Sequence, residues 1–490
     1  MKASFWYNLL KLQGILLLLT ACVPFPTKPD VQQAMTPTAP PVVDPSVSTI
    51  TVNGTPWGHS TCSIGAVEGS SRFQISDLKD LGINSYHIYG GMPRWEAQND
   101  SSSYGTPTID QIKANPNIIN WAAWDTAMTN PPDGSDYWWT HDQPLWHGNA
   151  RTIFEDLQAA GIHPILTLRN RDDKHNPSWS PNPPKTQADW NEWWEHVFAT
   201  VYWLNVRNNY HVDDFEMHNE PNLLSQGWAG TQDQYVTLLQ YTHDAIDFVY
   251  KTYLPGRTYH IYAPATNTGS DWPYAMLQKA TDLFDRLDIH DYNQDMSAYV
   301  RQAHRWLNAL GRPDDPVWIS EWGSYATNNK YDSPPMGITL MNNLMRGSQP
   351  GEDYVYGSNI FSLYDYGHTP FGLISANGTK RIDYYAMRMA IRALQGCRLT
   401  YRSTVNNPNL FAITTKDAQE TTYFLVTNQG KKESIRMHVN LSALLSGGKG
   451  TIWQFDAQHK DEIVGDTIAN QGQVTLTVPA MGALLVQFKQ

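Results

Sequence analysis

Two glutamates stand where strands end. Glu220 closes the run "DDFEMHNE" just before Pro221, and Glu321 closes "PVWISE" just before Trp322 and Gly323. A buried strand interior accepts neither a free carboxylate nor a proline, so each run has to stop at its acid and leave it on an open rim. With a period of two, Glu216, His218 and Glu220 share one side of their strand, and Phe215 and Met217 face the other way. Two carboxyls facing each other across a rim suit one chemistry well. In the opening of a glycosidic bond, one carboxyl protonates the departing oxygen while the other attacks or shields the anomeric carbon.

The residues around the two acids extend that reading. The run "DIHDYN" puts His290 and Tyr292 on one parity; a phenol bonded to a carboxylate holds it ionised, and an imidazole can orient the acid or the sugar. Asn219 is placed to donate to the hydroxyl next to the reacting carbon. Between Met92 and Gly148 lie Trp95, Trp121, Trp124, Trp138, Trp139 and Trp146. "NWAAWDTAM" reads as a helix with core tryptophans, whereas "DYWWTHDQPLW" has no helical stripe and reads as a loop wall on which sugar rings could stack. Arg169, Arg171 and Trp322 are further candidates at the rim. His141, His147 and His175 are too scattered for a metal set, and no HExxH or Ser elbow is present, so no cofactor or metal is expected.

These residues need a frame that brings strand ends together. Short apolar runs alternate with helical patterns from about residue 50: "TCSIGAV", "INSYHIYG", "HPILTLRN", "DDFEMHN", "TYHIYAPA", "RLDIHDY", "PVWISEW" and "SNIFSLYD" read as strands. Stretches such as "ARTIFEDLQAAG" and "YVRQAHRWLNALG" read as helices stopped by glycine. Strand and helix in alternation predict a (β/α)8 barrel over 50–395, with chemistry at the C-terminal ends of its strands. From 396 to 490 short alternating runs without a long helix predict an antiparallel β-sandwich, read either as a support packed on the barrel or, through Trp453, as a carbohydrate-binding module.

The N-terminus reads as an address. Residues 1–22 carry a short apolar core that ends in "LTAC", the pattern of a bacterial lipoprotein signal whose Cys22 becomes lipidated, and the proline-rich stretch 23–49 reads as a tether. That places the body at the outer face of a bacterial membrane or in the periplasm, attached to lipid only through its anchor. Export permits a disulfide between Cys62 and Cys397, and two buried thiols are the alternative. The 490 residues carry a formal charge of -12, from 47 acidic and 35 basic side chains, which disfavours nucleic acid or an anionic membrane surface as partner. A neutral carbohydrate fits better, and 19 tryptophans suit sugar faces as well as a large core. Oligomeric state is left open.

"NEP" at the end of the fourth barrel strand, "HDY" on the sixth and "SEW" at the end of the seventh together resemble the clan A glycoside hydrolases, the retaining (β/α)8 group. "NEWWEHVFATVYWLNVRNNY" leading into "FEMHNEPNL", with "YAPAT" on the next strand, is similar to glycoside hydrolase family thirty-nine, which includes β-xylosidases and α-iduronidases. The resemblance implies Glu220 as general acid/base, Glu321 as nucleophile, and carboxyls about 5 to 5.5 Å apart. It departs at His218, where that family commonly has Trp, after Glu321, where "SEWGSY" differs, and on strand eight. There Tyr364, Asp365 and Tyr366 stand where many clan members set a Trp under the sugar, making Tyr364 the substrate-side candidate. The alternative from another class is a lipid-anchored protein that binds carbohydrate without cleaving it, which would not need the two facing glutamates.

Overall fold

The computed structural model describes residues 47–69, 72–95, 107–129, 149–170, 182–226, 228–293, 295–323, 331–366 and 369–489. The expected signal, with Cys22, and nearly all of the expected tether lie outside them, as do Trp138, Trp139, Trp146, Arg171, His141, His147 and His175. No helix among the described residues is long and apolar enough to cross a membrane.

All eight expected strands form and close into a parallel barrel in chain order: β2 (Ser63–Val67), β3 (Ser85–Tyr89), β4 (His163–Leu168), β5 (Asp214–Met217), β6 (His260–Thr266), β7 (Arg286–Asp291), β8 (Val317–Trp322) and β9 (Gly357–Ile360). Helices follow each strand and end as their sequences require. Gly82 and Gly161, with φ of 84° and 67°, stop the helices Ile75–Leu81 and Ala150–Ala160 in a left-handed turn that other residues resist. Thr231 and Gln234 form a capping box that starts the helix Gln232–Tyr253.

Alternation along the strands sorts side chains into two cores. Leu166, Phe215, Met217, Leu287, Ile289 and Ile319 join the large cluster between strands and helices. The opposite parity fills the barrel. Ile165, Tyr262 and Trp318 plug its floor, with the Tyr262 and Trp318 rings edge to face at 5.0 Å. On the same parity toward the C-terminal ends come His87, Thr167, Glu216 and Asp288, all 0 % exposed. The apolar floor closes one end of the cylinder, so only the other can admit a ligand.

The second domain is a nine-stranded, mostly antiparallel closed barrel: β1 (Ser48–His59), β10 (Leu399–Val405), β11 (Leu410–Lys416), β12 (Thr422–Asn428), β13 (Ile435–Asn440), β14 (Gly447–Phe455), β15 (Lys460–Asn470), β16 (Gln473–Val478) and β17 (Gly482–Phe488). One boundary is corrected. Residues 50–59, expected at the start of the catalytic barrel, pair with β10 and β13 instead, so the chain enters the second domain before it builds the first. The two domains are joined at that crossing by a Cys62–Cys397 disulfide. The β-domain also packs on the helices of the barrel: Phe455 covers Gly337, where a Cβ would come within 2.6 Å of its ring, and Asp461 takes Arg388 and Arg392 together at 2.7 and 2.8 Å. Trp453, partly buried, lies against this contact, with the Arg392 guanidinium 5.0 Å from its ring.

Candidate active site

The acids reach the rim by two different backbone devices. β5 stops at Met217, and the residues after it turn: His218 and Glu220 have φ of 62° and 42°. Non-glycine residues avoid this left-handed region at about 1–3 kcal/mol each, so neighbours must hold them there. They do so through His218 N–H to the Leu168 carbonyl at 2.9 Å and Glu220 N–H to the Ala265 carbonyl at 3.0 Å. The expected common face of Glu216, His218 and Glu220 therefore does not form. Glu216 points into the barrel, whereas the His218 ring sits between the Asn219 carbonyl and the Asn170 side chain, 3.0 Å from each, with Trp228 across its edge. Burial pulls His218 down to about 4, so it is neutral and braces the turn.

Glu321 depends on a bulge. Asp288 pairs with Trp318 but His290 pairs with Glu321, so β8 carries one residue more than β7 between those pairs. Strict alternation from the inward Trp318 would have sent Glu321 toward the helices. The extra residue turns both Ser320 and Glu321 inward.

His290 stands between the two acids. Its Nδ1 is 3.1 Å from Glu220 Oε1 and 3.5 Å from Glu321 Oε2, and its Nε2 is 2.9 Å from Ser320 Oγ. One oxygen of each glutamate and this nitrogen all lie within 4.8 Å of one another. Burial opposes a charge on the ring, but the Glu321 carboxylate and the bond to Glu220 prevail and raise His290 to about 10. An imidazolium has no lone pair for a metal, so this trio is better suited to holding a proton.

Glu321 accepts a phenol at each oxygen: Tyr292 donates to Oε2 and Tyr89 to Oε1. Burial and the charge of Glu220 push Glu321 up, and the imidazolium and the Tyr292 hydroxyl oppose them. Burial and the Glu321 charge raise Tyr89 well above an ordinary phenol, so it keeps the proton it donates. Tyr89 was not among the expected residues. It ends β3 on the parity of His87, which is the signal that could have found it. Arg169, a rim candidate, lies with its guanidinium 5.0 Å from the Tyr89 ring. Asn219 is 5 % exposed, donates to Gln226 Oε1 at 3.2 Å, and has its own oxygen buried with no hydrogen-bond partner among the described residues.

Two expected residues sit elsewhere. Trp322 is 1 % exposed and belongs to the cluster between strands and helices, on the far side of its strand from Glu321. Tyr364 is fully buried, and its hydroxyl bonds to Gln74 and Asp77 on the N-terminal side of the barrel's first helix. The reason is that β9 ends at Ile360, so parity counted through "SNIFSLYD" fails beyond it. Phe361 and Tyr366, both partly exposed, take the rim position instead. Their rings stack at 5.3 Å, and Phe361 meets the Tyr292 ring edge to face at 5.8 Å.

No family model and no curated protein matches the chain. Solved structures do. A glucosidase from Croceicoccus marinus superposes with a TM-score of 0.64 at 13% identity, over 91% of this chain and 99% of that one. A GH30 endoxylanase from Clostridium papyrosolvens C71 gives 0.63 at 14% identity, over 90% and 100%. A GH39 β-xylosidase from Caulobacter crescentus gives 0.61 at 16% identity, over 90% and 100%. The fold of this chain is the one these clan A glycoside hydrolases share, in both of its domains.

Proposed function

We propose that the protein is a retaining glycoside hydrolase that opens β-linked glycosides of plant or microbial saccharides by double displacement. The observation that carries this reading is the approach of Glu220 and Glu321 to within 4.8 Å, oxygen to oxygen, at the open end of the barrel. That spacing fits the short separation of retaining enzymes better than the wide gap in which an inverting pair holds its water. The structural neighbours named above, a glucosidase, an endoxylanase and a β-xylosidase among them, support the same class of chemistry.

Glu321 attacks the anomeric carbon as Glu220 gives its proton to the departing oxygen, which takes the bonding electron pair. The Glu220 carboxylate so formed faces His290 Nδ1. Tyr89 and Tyr292 hold Glu321 by both oxygens, orienting it and favouring its anion before attack. In the second half Glu220 takes a proton from water, and the hydroxide displaces Glu321 from the sugar. Asn219 stands beside the acid to meet the neighbouring hydroxyl, and the Phe361–Tyr366 stack offers the sugar an apolar face. The protein works outside the cytoplasm on a lipid anchor at Cys22. The Cys62–Cys397 bridge favours that location, because such bonds persist in oxidising compartments.

A panel of aryl β-glycosides and polysaccharides tests the proposal with wild type, Glu321→Gln and Glu220→Ala. We expect net retention, loss on the order of 10⁴ or more in Glu321→Gln, and in Glu220→Ala a far larger loss on poor leaving groups than on activated ones. Undiminished turnover by Glu321→Gln removes it from the mechanism, and equal loss on both substrate types removes Glu220 as the acid.

A further inference from the structure

The mechanism leaves a buried group unused directly beneath it. Glu216 and Asp288 are 0 % exposed, and one carboxylate oxygen of each lies within 4.8 Å of the other and of a His290 nitrogen. Glu216 Oε2 is 3.1 Å from His87 Nε2, and its Oε1 accepts from the Thr167 hydroxyl at 3.1 Å. Asp288 Oδ1 accepts the Ser320 backbone N–H at 3.0 Å, and its Oδ2 is buried with no hydrogen-bond partner among the described residues. Ser320 is the link. Its backbone N–H goes to Asp288 Oδ1, its hydroxyl stands 2.9 Å from His290 Nε2, and that hydroxyl favours the ionised form of both carboxyls.

A hydroxyl that directs its proton down to a carboxylate presents a lone pair upward. That lone pair accepts from Nε2–H and fixes the ring. Nδ1 then faces Glu220 Oε1 with one proton to share between them. We propose that Glu216, Asp288 and Ser320 form a buried positioning unit that holds the Nε2 proton of His290 and so keeps the Nδ1–Glu220 pair loaded with the catalytic proton. The unit rests on the reading of Glu220 and Glu321 given above.

The charges around it set the sign of its effect. Facing His290 are Glu220 beyond β5, Glu321 from β8, Asp288 from its own strand, and Glu216 and His87 from β5 and β3. Facing the two lower carboxyls are also Tyr89 from β3, His218 after β5, Tyr262 from β6 and Tyr235 from the helix Gln232–Tyr253. His87 holds Glu216 ionised against its burial, whereas burial and the Glu216 charge raise Asp288. Asp288 thus ionises late, and the negative charge it then adds below His290 strengthens the ring's hold on its proton. Removing that carboxylate lets the proton leave at lower pH, so the alkaline limb of activity moves toward acid.

The test is kcat/KM against pH for wild type, Asp288→Asn and Ser320→Ala, on an aryl β-glycoside that wild type turns over and Glu321→Gln does not. We expect the alkaline limb to move down by about one pH unit in Asp288→Asn, the low end of what one adjacent charge does, and in the same direction by less in Ser320→Ala. An unmoved limb in both variants, with wild-type circular dichroism, overturns the proposal, as does a shift toward higher pH. Nitrogen NMR of the His290 ring decides without turnover or a variant: in wild type Nε2 must remain protonated while Nδ1 titrates, and loss from Nε2 first overturns the unit. Failure of the glycosidase reading is distinguishable, because it appears as a Glu321→Gln enzyme as active as wild type whatever the ring does.

Discussion

The chain builds two closed barrels and fills them in opposite ways. The nine-stranded barrel is packed with Ile50, Val52, Phe424, Val426, Met437, Val439, Leu476 and Val486, an apolar interior throughout its cluster. The eight-stranded barrel is apolar only at its floor and buries His87, Glu216, Asp288, His290, Glu220 and Glu321 above it. Burying ionisable groups costs stability unless they are paired, and one oxygen of Asp288 is not. Closure of a sheet therefore does not dictate what it encloses. The first interior is what folding alone selects, and the second is the arrangement the proposed reaction needs, held by the apolar floor below and the helix layer outside.

Substitutions in the two interiors should separate these roles. Phe424→Ala in the nine-stranded barrel should lower stability by about 3–5 kcal/mol through lost burial and the remaining cavity, with kcat/KM unchanged in the molecules that stay folded. Denaturant melts paired with active-site titration measure both; a fall in kcat/KM per folded molecule would mean that the second barrel shapes the site. Tyr89→Phe should do the reverse. It removes one donor from Glu321, so kcat/KM should fall about 10- to 100-fold while the melting temperature holds or rises. A variant with full activity would show that Tyr292 alone suffices to hold Glu321.

How much of this could be read from residues alone follows from what each feature depends on. The eight parallel strands are legible because strands buried on both faces appear as continuous apolar runs, and glycines mark the helix ends. The second domain is less so. β15, "KDEIVGDTIAN", leaves Ile463, Val464 and Ile468 exposed and lacks the alternation that signals a half-buried strand, so its residues do not mark it. β1 does alternate, but its partners β10 and β13 lie at the other end of the chain, and pairing at that distance leaves no local trace. Glu220 and Glu321 were recognised by position. Their aim was not, since the left-handed turn at His218 and the bulge at Ser320 both break the period of two on which facing arguments rest. The same limit misplaced Tyr364 and hid Phe361 and Tyr366, whereas Tyr89 keeps the period and was legible from the parity of His87.

Asp383 offers a finer version of the same comparison, because it is a buried acid in the helix layer with no part in the proposed chemistry. It opens the helix Ile382–Leu394 and is 0 % exposed, and the backbone groups of Ser333 and Gly337 beside it offset its burial only in part. Burial, aided by the charge of Asp332, pushes it up to about 8 from an ordinary 3.8. Between those values the folded chain keeps a proton that the unfolded chain has lost. The contribution to stability is therefore full below about pH 4, declines as pH rises toward 8, and is gone above it. Asp383→Asn removes the titration, so its melting temperature should match wild type in acid and exceed it by a few degrees at pH 9, with the slope between flattened. Parallel melting curves across the whole range would mean that Asp383 is ionised and paired in the fold, and that the cost of buried acids in this chain is confined to the barrel mouth.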